Sequence, residues 1–287
     1  MVTGEAMNRR SFLEGAAALG VLGPAAGRAA AFSSGRLSVV VRGDGPDVVL
    51  VPGLTNGRSV WDGLVRALPG HRWHLVQVAG FAGEPPRANA AGPVVAGVAE
   101  ELAQYIATAR LRAPALIGHS MGGIVVLMLA ARHPARIGRV MAVDILPAPA
   151  ASFGVSASGL KPIADALMAE LGRSAEGRQA LERFVAGFGG GAVPRSGSDS
   201  GVVARATHEL ATIDLTPELP RIKAPLSIVY GVPADPAAAG TIDRRYAAAY
   251  APAPQARLRR VAGAGHMVML DQPARFAAEV KRFLGDR

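Results

Sequence analysis

The chemistry in this chain gathers around a serine. Ser120 stands in Gly118-His119-Ser120-Met121-Gly122, directly after the apolar run Ala115-Leu116-Ile117 and just before a helical stretch from Ile124 to Ala131. A serine on a tight strand-to-helix turn lifts its hydroxyl above the edge of a sheet. The turn is so sharp that the positions two before and two after must be small, here Gly118 and Gly122. A helix opening at Met121 would aim its unpaired amides and the positive end of its dipole at an oxyanion. A lone Gly-x-Ser-x-Gly recurs by chance in a chain with 35 glycines. The strand before it and the helix after it are what give this one weight.

The elements that must hold such a turn are legible along the chain. With 287 residues, half of them hydrophobic, the chain can bury a substantial core and forms one large domain or a domain with an insertion. Short β-branched runs bounded by Gly, Pro or Asp predict strands at Leu37–Val41, Val48–Pro52, His74–Val78, Ala115–Gly118, Val140–Ile145, Leu226–Tyr230 and Leu258–Val261. Several are apolar at successive positions, as strands covered on both faces require. Helical patterns lie between them. Val98, Leu102, Tyr105 and Ile106 share one face, and a last helix opens near Pro273 and stops at Gly285. Alternation of this kind predicts an α/β fold with a doubly wound, mostly parallel sheet.

One region breaks the alternation. From residue 147 to 217 no strand is expected, but two helical pieces are, at Pro162–Leu171 and Glu176–Phe188, followed by a Gly/Ser-rich stretch. Helices inserted between core strands predict a cap, dividing the core into residues 32–146 and 218–287. Leu167, Met168, Phe184 and Phe188 would line a substrate entrance or pack the cap onto the core.

From about Arg36 onward the chain resembles the α/β-hydrolase fold family. The resemblance rests on the Ser120 turn, on the order serine, acid, histidine, and on Gly263-Ala264-Gly265-His266 after the final strand. It implies that His266 is the base that takes the Ser120 proton. It places the acid at Asp235, after the strand Leu226–Tyr230, with Asp144, after Val140–Ile145, as the alternative. It puts the oxyanion hole at the amides of Leu54, in Pro52-Gly53-Leu54, and of Met121. The other histidines fit lesser roles: His133 at a helix end, His71 and His74 around a strand start, His208 in the cap, and His119 pointing away from the nucleophile. Trp61, Ala79 to Gly83, Met121 and Met267 are candidates for an apolar acyl pocket or for plain packing.

The N-terminus reads as an address. Asn8-Arg9-Arg10-Ser11-Phe12-Leu13, a weakly apolar stretch to Ala26 and Ala29-Ala30-Ala31 follow the order of a secretory signal. The arginine pair resembles the twin-arginine export signal, which implies a periplasmic or secreted protein without a stable membrane anchor after cleavage. Loss of residues 1–31 would leave 28 basic against 20 acidic residues, or +8, from the full chain's +9. The arginines are scattered through every segment, so nucleic acid is not an expected partner. The absence of cysteine excludes disulfides, thiolate metal sites and a catalytic thiol, and neither a metal nor an organic cofactor is implied.

These features predict a serine-dependent hydrolase of small carboxylic esters or lactones. Two other readings use the same fold: a perhydrolase, haloperoxidase-like enzyme or lyase, and a ligand-binding module without catalysis.

Overall fold

In a computed structural model, residues 32–171 and 197–285 are described. The segment expected to be an export signal, residues 1–31, and the helix expected at Glu176–Phe188 lie outside them. Seven strands form one sheet: β1 (Leu37–Arg42), β2 (Asp47–Val51), β3 (Arg72–Val78), β4 (Ala115–His119), β5 (Arg139–Val143), β6 (Leu226–Val232) and β7 (Ala256–Ala262). Their spatial order is β1-β3-β2-β4-β5-β6-β7. Only the β1–β3 pair is antiparallel; Val51 pairs with Gly118 in the parallel centre, and Val143 with His119.

The helices are α1 (Asp62–Ala67), α2 (Val95–Thr108), α3 (Met121–Arg132), α4 (Ala157–Leu171), α5 (Ser200–Thr212), α6 (Pro236–Tyr250), α7 (Val268–Asp271) and α8 (Pro273–Leu284). Successive strand residues point to opposite faces, so the sheet feeds two cores. Val49, Val51, Leu116, Ala142 and Ile228 pack with α2, α3, α5 and α6. Val48, Leu50, Ile117, Met141 and Val229 pack with α1, α7 and α8 on the other side. Each fully buried Leu, Ile or Val here contributes roughly 1.5–3 kcal/mol of transfer free energy, which is why the central strands are apolar through most of their length. Val98, Leu102, Tyr105 and Ile106 form the buried stripe of α2. Pro273 opens α8 and Gly285 ends it with φ of 83°.

The chain between β5 and β6 carries α4 and α5. Helix α5 opens on Asp199, whose carboxylate accepts from the Val202 amide at 2.9 Å. The core grips it firmly. The Asp199 amide donates to Gly80 O at 2.7 Å and the Ala82 amide to Ser198 Oγ at 3.0 Å. In return Glu209 caps α2, which has no capping side chain of its own, by accepting from the amides of Val94, of Val95 at 3.0 Å and of Ala96 at 3.2 Å. A carboxylate at a helix N-terminus satisfies orphan donors and opposes the dipole. Met168 of α4 packs against the larger core, half-buried.

Candidate active site

Ser120 follows β4 with φ of 52° and ψ of −120°, a conformation that L-residues avoid. Such backbone costs on the order of 1–3 kcal/mol and persists where surrounding structure holds it. The two flanking glycines make it feasible. A Cβ at Gly118 would lie 2.0 Å from Gly122 O, and one at Gly122 would lie 2.2 Å from Val51 O. The Ser120 amide is tied to Val143 O at 2.9 Å, and its carbonyl already accepts from Gly123 and Ile124. The amide of Met121, the first residue of α3, has no carbonyl partner within the helix.

The loop after β2 runs alongside. Gly53 O accepts from the Asn56 amide at 3.1 Å, so the Leu54 N–H of the same trans peptide faces the opposite way. The Leu54 carbonyl is held by Thr55 Oγ1 at 2.6 Å and Asn56 Nδ2 at 3.1 Å. The Gly53 backbone sits so close to the nucleophile that a Cβ there would lie 3.2 Å from Ser120 Cβ.

His266 follows β7 on the loop before α7. Its Nδ1 lies 2.7 Å from Asp144 Oδ2. A carboxylate can only accept, so Nδ1 carries the proton and Nε2 is left as the basic nitrogen. Both side chains are largely buried, at 15% and 16% exposure, which limits solvent screening of the pair.

Asp144 comes directly after β5, and its φ of 50° turns the chain out of the sheet one residue past Val143. This ends the strand two residues before the run Val140–Ile145 would suggest. The second carboxylate oxygen is also engaged: Oδ1 accepts from the Gly231 amide at 2.9 Å and from Tyr246 Oη at 3.3 Å. Three donors therefore hold the Asp144 carboxylate. Tyr246 is buried and stacked on Tyr230, with centroids 4.1 Å apart. Burial, and next the Asp144 charge, push its phenol well above the usual range, so it is a fixed donor.

Asp235 is elsewhere. Its carboxylate accepts from the Ala238 amide at 2.8 Å as the N-cap of α6, with Pro236 at the first helical position. The residue expected as acid thus serves a helix end, and the alternative Asp144 is the one in contact with His266. The end of β6 still contributes, but through the Gly231 amide.

The remaining candidates separate cleanly. Trp61 is fully buried and stacked on Phe276, and Phe81 is fully buried in the larger core. Met121 and Met267 are buried too. His74 bonds Tyr105 Oη at 2.6 Å and Asp47 at 2.8 Å inside the fold. His208 joins α5 to Asp165 of α4 at 2.6 Å, and His133 ends α3 near Glu100. His119 does not turn away from the site: its ring packs 4.6 Å from that of His266. Phe184 and Phe188 lie outside the described residues, as does the side chain of Leu167. Among the described residues no group of three His, Asp or Glu side chains is disposed to hold a metal.

A cleft of about 520 Å³ opens beside His266 and Asp144, walled by Leu146, Ser152, Pro233 and Ile242 with Arg245 among its lining residues. The site can therefore deliver a serine hydroxyl, an imidazole oriented by a carboxylate, and amide donors beside them.

Comparison with known proteins gives the same architecture. Residues 48–279 match the model of the α/β-hydrolase family. The chain is 28% identical over 271 residues to a pimeloyl-[acyl-carrier protein] methyl ester esterase of Aeromonas hydrophila subsp. hydrophila, covering 87% of this chain and 99% of that one. Among solved structures it is similar to an enol-lactonase from Burkholderia xenovorans, with a TM-score of 0.61 and 23% identity over 87% of this chain and 96% of the other. It is also similar to a bromoperoxidase from Bacillus anthracis, with a TM-score of 0.66 and 19% identity over 87% and 95% of the two chains. With strand order, serine turn and a family match spanning most of the sequence in agreement, the chain belongs to the α/β-hydrolase family.

Proposed function

We propose that this protein is a serine hydrolase that cleaves carboxylic esters or lactones through an acyl-enzyme on Ser120. The observation that carries the reading is the 2.7 Å contact between His266 Nδ1 and Asp144 Oδ2 beside a serine held at φ 52°. Ser120 Oγ attacks the carbonyl carbon while its proton passes to His266 Nε2. The Asp144 carboxylate steadies the resulting imidazolium. The amides of Met121 and Leu54 hold the oxyanion, each contributing on the order of 3 kcal/mol to the transition state. Collapse breaks the bond to the alcohol, which leaves with the proton from Nε2. Water then repeats the sequence in reverse and releases the acid.

The curated relative's activity on a methyl ester supports the reaction class. In this reading α4 and α5 belong to a cap over the cleft beside His266, and the Arg9-Arg10 segment directs export before cleavage near Ala31. Neutral oxygen esters are the favoured substrates, since coenzyme A thioesters belong to the cytoplasm.

The test is hydrolysis of a p-nitrophenyl ester series by the protein beside Ser120→Ala, with fluorophosphonate labelling of both. Turnover and labelling that vanish together in Ser120→Ala support the reading. A wild type that labels but hydrolyses no ester moves it to a non-hydrolytic reaction of the same serine, and one that does neither removes it.

A further inference from the structure

His119 is the residue next to the nucleophile, it is fully buried, and the mechanism above gives it no task. Its Nε2 lies 2.9 Å from the backbone carbonyl of His266. A carbonyl can only accept, so Nε2 carries the proton and Nδ1 is bare. Among the described residues Nδ1 has no hydrogen-bond partner. The backbone of Gly53 closes over it: a Cβ at Gly53 would lie 2.8 Å from Nδ1 and 3.2 Å from Cε1. One imidazole thus touches the oxyanion loop, adjoins Ser120 in sequence, and grips the main chain of the base.

Stability does not account for a histidine here. A buried polar nitrogen without a partner is destabilising, and an apolar side chain would fill the same space without that loss. What only a rigid donor can supply is the bond to the His266 carbonyl. The loop carrying His266 has other anchors: the Gly265 amide donates to Asp271 at 2.8 Å and Gln272 Nε2 to Gly263 O at 3.0 Å, while the Gly263 amide reaches Val232 O at 2.8 Å and His266 Nδ1 reaches Asp144. The His119 bond is the one that ties the loop across the sheet to the nucleophile turn. Burial, and next the field of His266, hold the His119 imidazole well below its usual range. His119 therefore stays neutral while His266 gains its proton.

We propose that His119 is a positioning residue that fixes the distance of the His266 loop from Ser120 and the Gly53 loop. The proposal rests on the serine-hydrolase reading for its kinetic consequence, but the tethering itself can be observed without catalysis.

The experiment compares wild type, His119→Gln and His119→Leu, with His119→Met as a second apolar replacement should the leucine variant not fold. Glutamine can donate from its amide to the same carbonyl; leucine and methionine cannot. Steady-state hydrolysis of p-nitrophenyl acetate, the rate of fluorophosphonate labelling at Ser120 and the low-field proton signal of His266 Nδ1–H are read for each.

A displacement of a reacting group by an ångström costs roughly 100-fold in rate. The apolar variants should lose about that in kcat and in labelling rate, with KM within about threefold of wild type. Their low-field proton should broaden away. His119→Gln should recover the proton signal and most of the rate. Folded apolar variants with wild-type rates, or a glutamine variant as impaired as the leucine one, would overturn the proposal. If the wild type neither hydrolyses nor labels, the ester reading falls, and the proton signal alone decides on His119. Retention of that signal in the apolar variants refutes the tether; loss there with recovery in His119→Gln sustains it.

Discussion

Replacing Asp144 by asparagine should nearly abolish turnover, and the reason lies in which hydrogen bonds an amide can make there. Asp144 Oδ1 receives the Gly231 amide at 2.9 Å and the Tyr246 hydroxyl at 3.3 Å, while Oδ2 receives His266 Nδ1 at 2.7 Å. An asparagine has one oxygen for these three donors. Placed with its oxygen toward His266, it turns its NH2 onto the Gly231 N–H, donor against donor. Placed the other way, it keeps the Gly231 and Tyr246 bonds and aims its NH2 at His266 Nδ1. The second arrangement satisfies more donors and is the one expected. It forces the imidazole proton onto Nε2, where the ring can no longer accept from Ser120. In the serine protease triad the same wrong-tautomer effect is worth about 10⁴-fold in kcat, or roughly 5.5 kcal/mol. Asp144→Asn should therefore lower kcat on p-nitrophenyl esters by about four orders of magnitude with the fold retained. Asp235→Asn should change it less than about twofold, because asparagine caps a helix as well as aspartate does. Collapse of Asp235→Asn together with an active Asp144→Asn would refute the assignment and the register on which it rests.

Other consequences are testable in the same preparations. Tyr246→Phe removes one of the three donors that hold the Asp144 carboxylate. kcat/KM should fall by up to about fivefold for a hydrogen bond worth ~1 kcal/mol; an unchanged rate contradicts the role given to the phenol. Gly122→Ala should fail to give active folded protein because its Cβ would lie 2.2 Å from Val51 O, whereas Gly63→Ala in α1, with nothing within 4 Å, should melt at or slightly above the wild-type temperature. Glu209→Ala uncaps α2 and should cost about 1–3 kcal/mol, read as a fall in Tm of roughly 2–4 °C for each kcal/mol. Burial depresses the protonation of His119 and His74, whose ordinary value is 6.5. Below that pH the unfolded chain binds protons that the native state refuses, so stability is full above pH 6.5 and falls as the pH drops below it. Each histidine adds a slope of up to about 1.4 kcal/mol per pH unit. Denaturation midpoints at a series of pH values should show this, with a shallower fall in His119→Gln.

The parts of the site that the sequence disclosed are those in which one residue type is enforced by local geometry. The Ser120 turn needs small residues on either side because backbone carbonyls occupy the space a Cβ would take, and Gly118 and Gly122 carry that need into the sequence. The central strands must be apolar at successive positions because both faces are covered, and that too is written residue by residue. The acid is different. Asp144 and Asp235 each follow a strand and each precedes a turn, so that position alone does not single out the acid. What marks Asp144 is long-range: the Gly231 amide, 87 positions from Asp144, and the Tyr246 hydroxyl, 102 positions away, both point at the end of β5. Asp235 meanwhile finds its partner three residues on, at the Ala238 amide, the ordinary local bond of an aspartate before a helix. Pro236 beside it and the alanines after it are a helix-start signal, and read as such they argue for a cap. A carboxylate already used to satisfy a helix N-terminus is a poor choice to orient a distant imidazole, since leaving the cap would cost about 1 kcal/mol before any new bond formed. Asp144 has no such local claim on it. The same physics hides the contact of His119 from the sequence: alternation in a strand tells which way a side chain points, but not that a loop 147 residues later will bring its carbonyl to meet it.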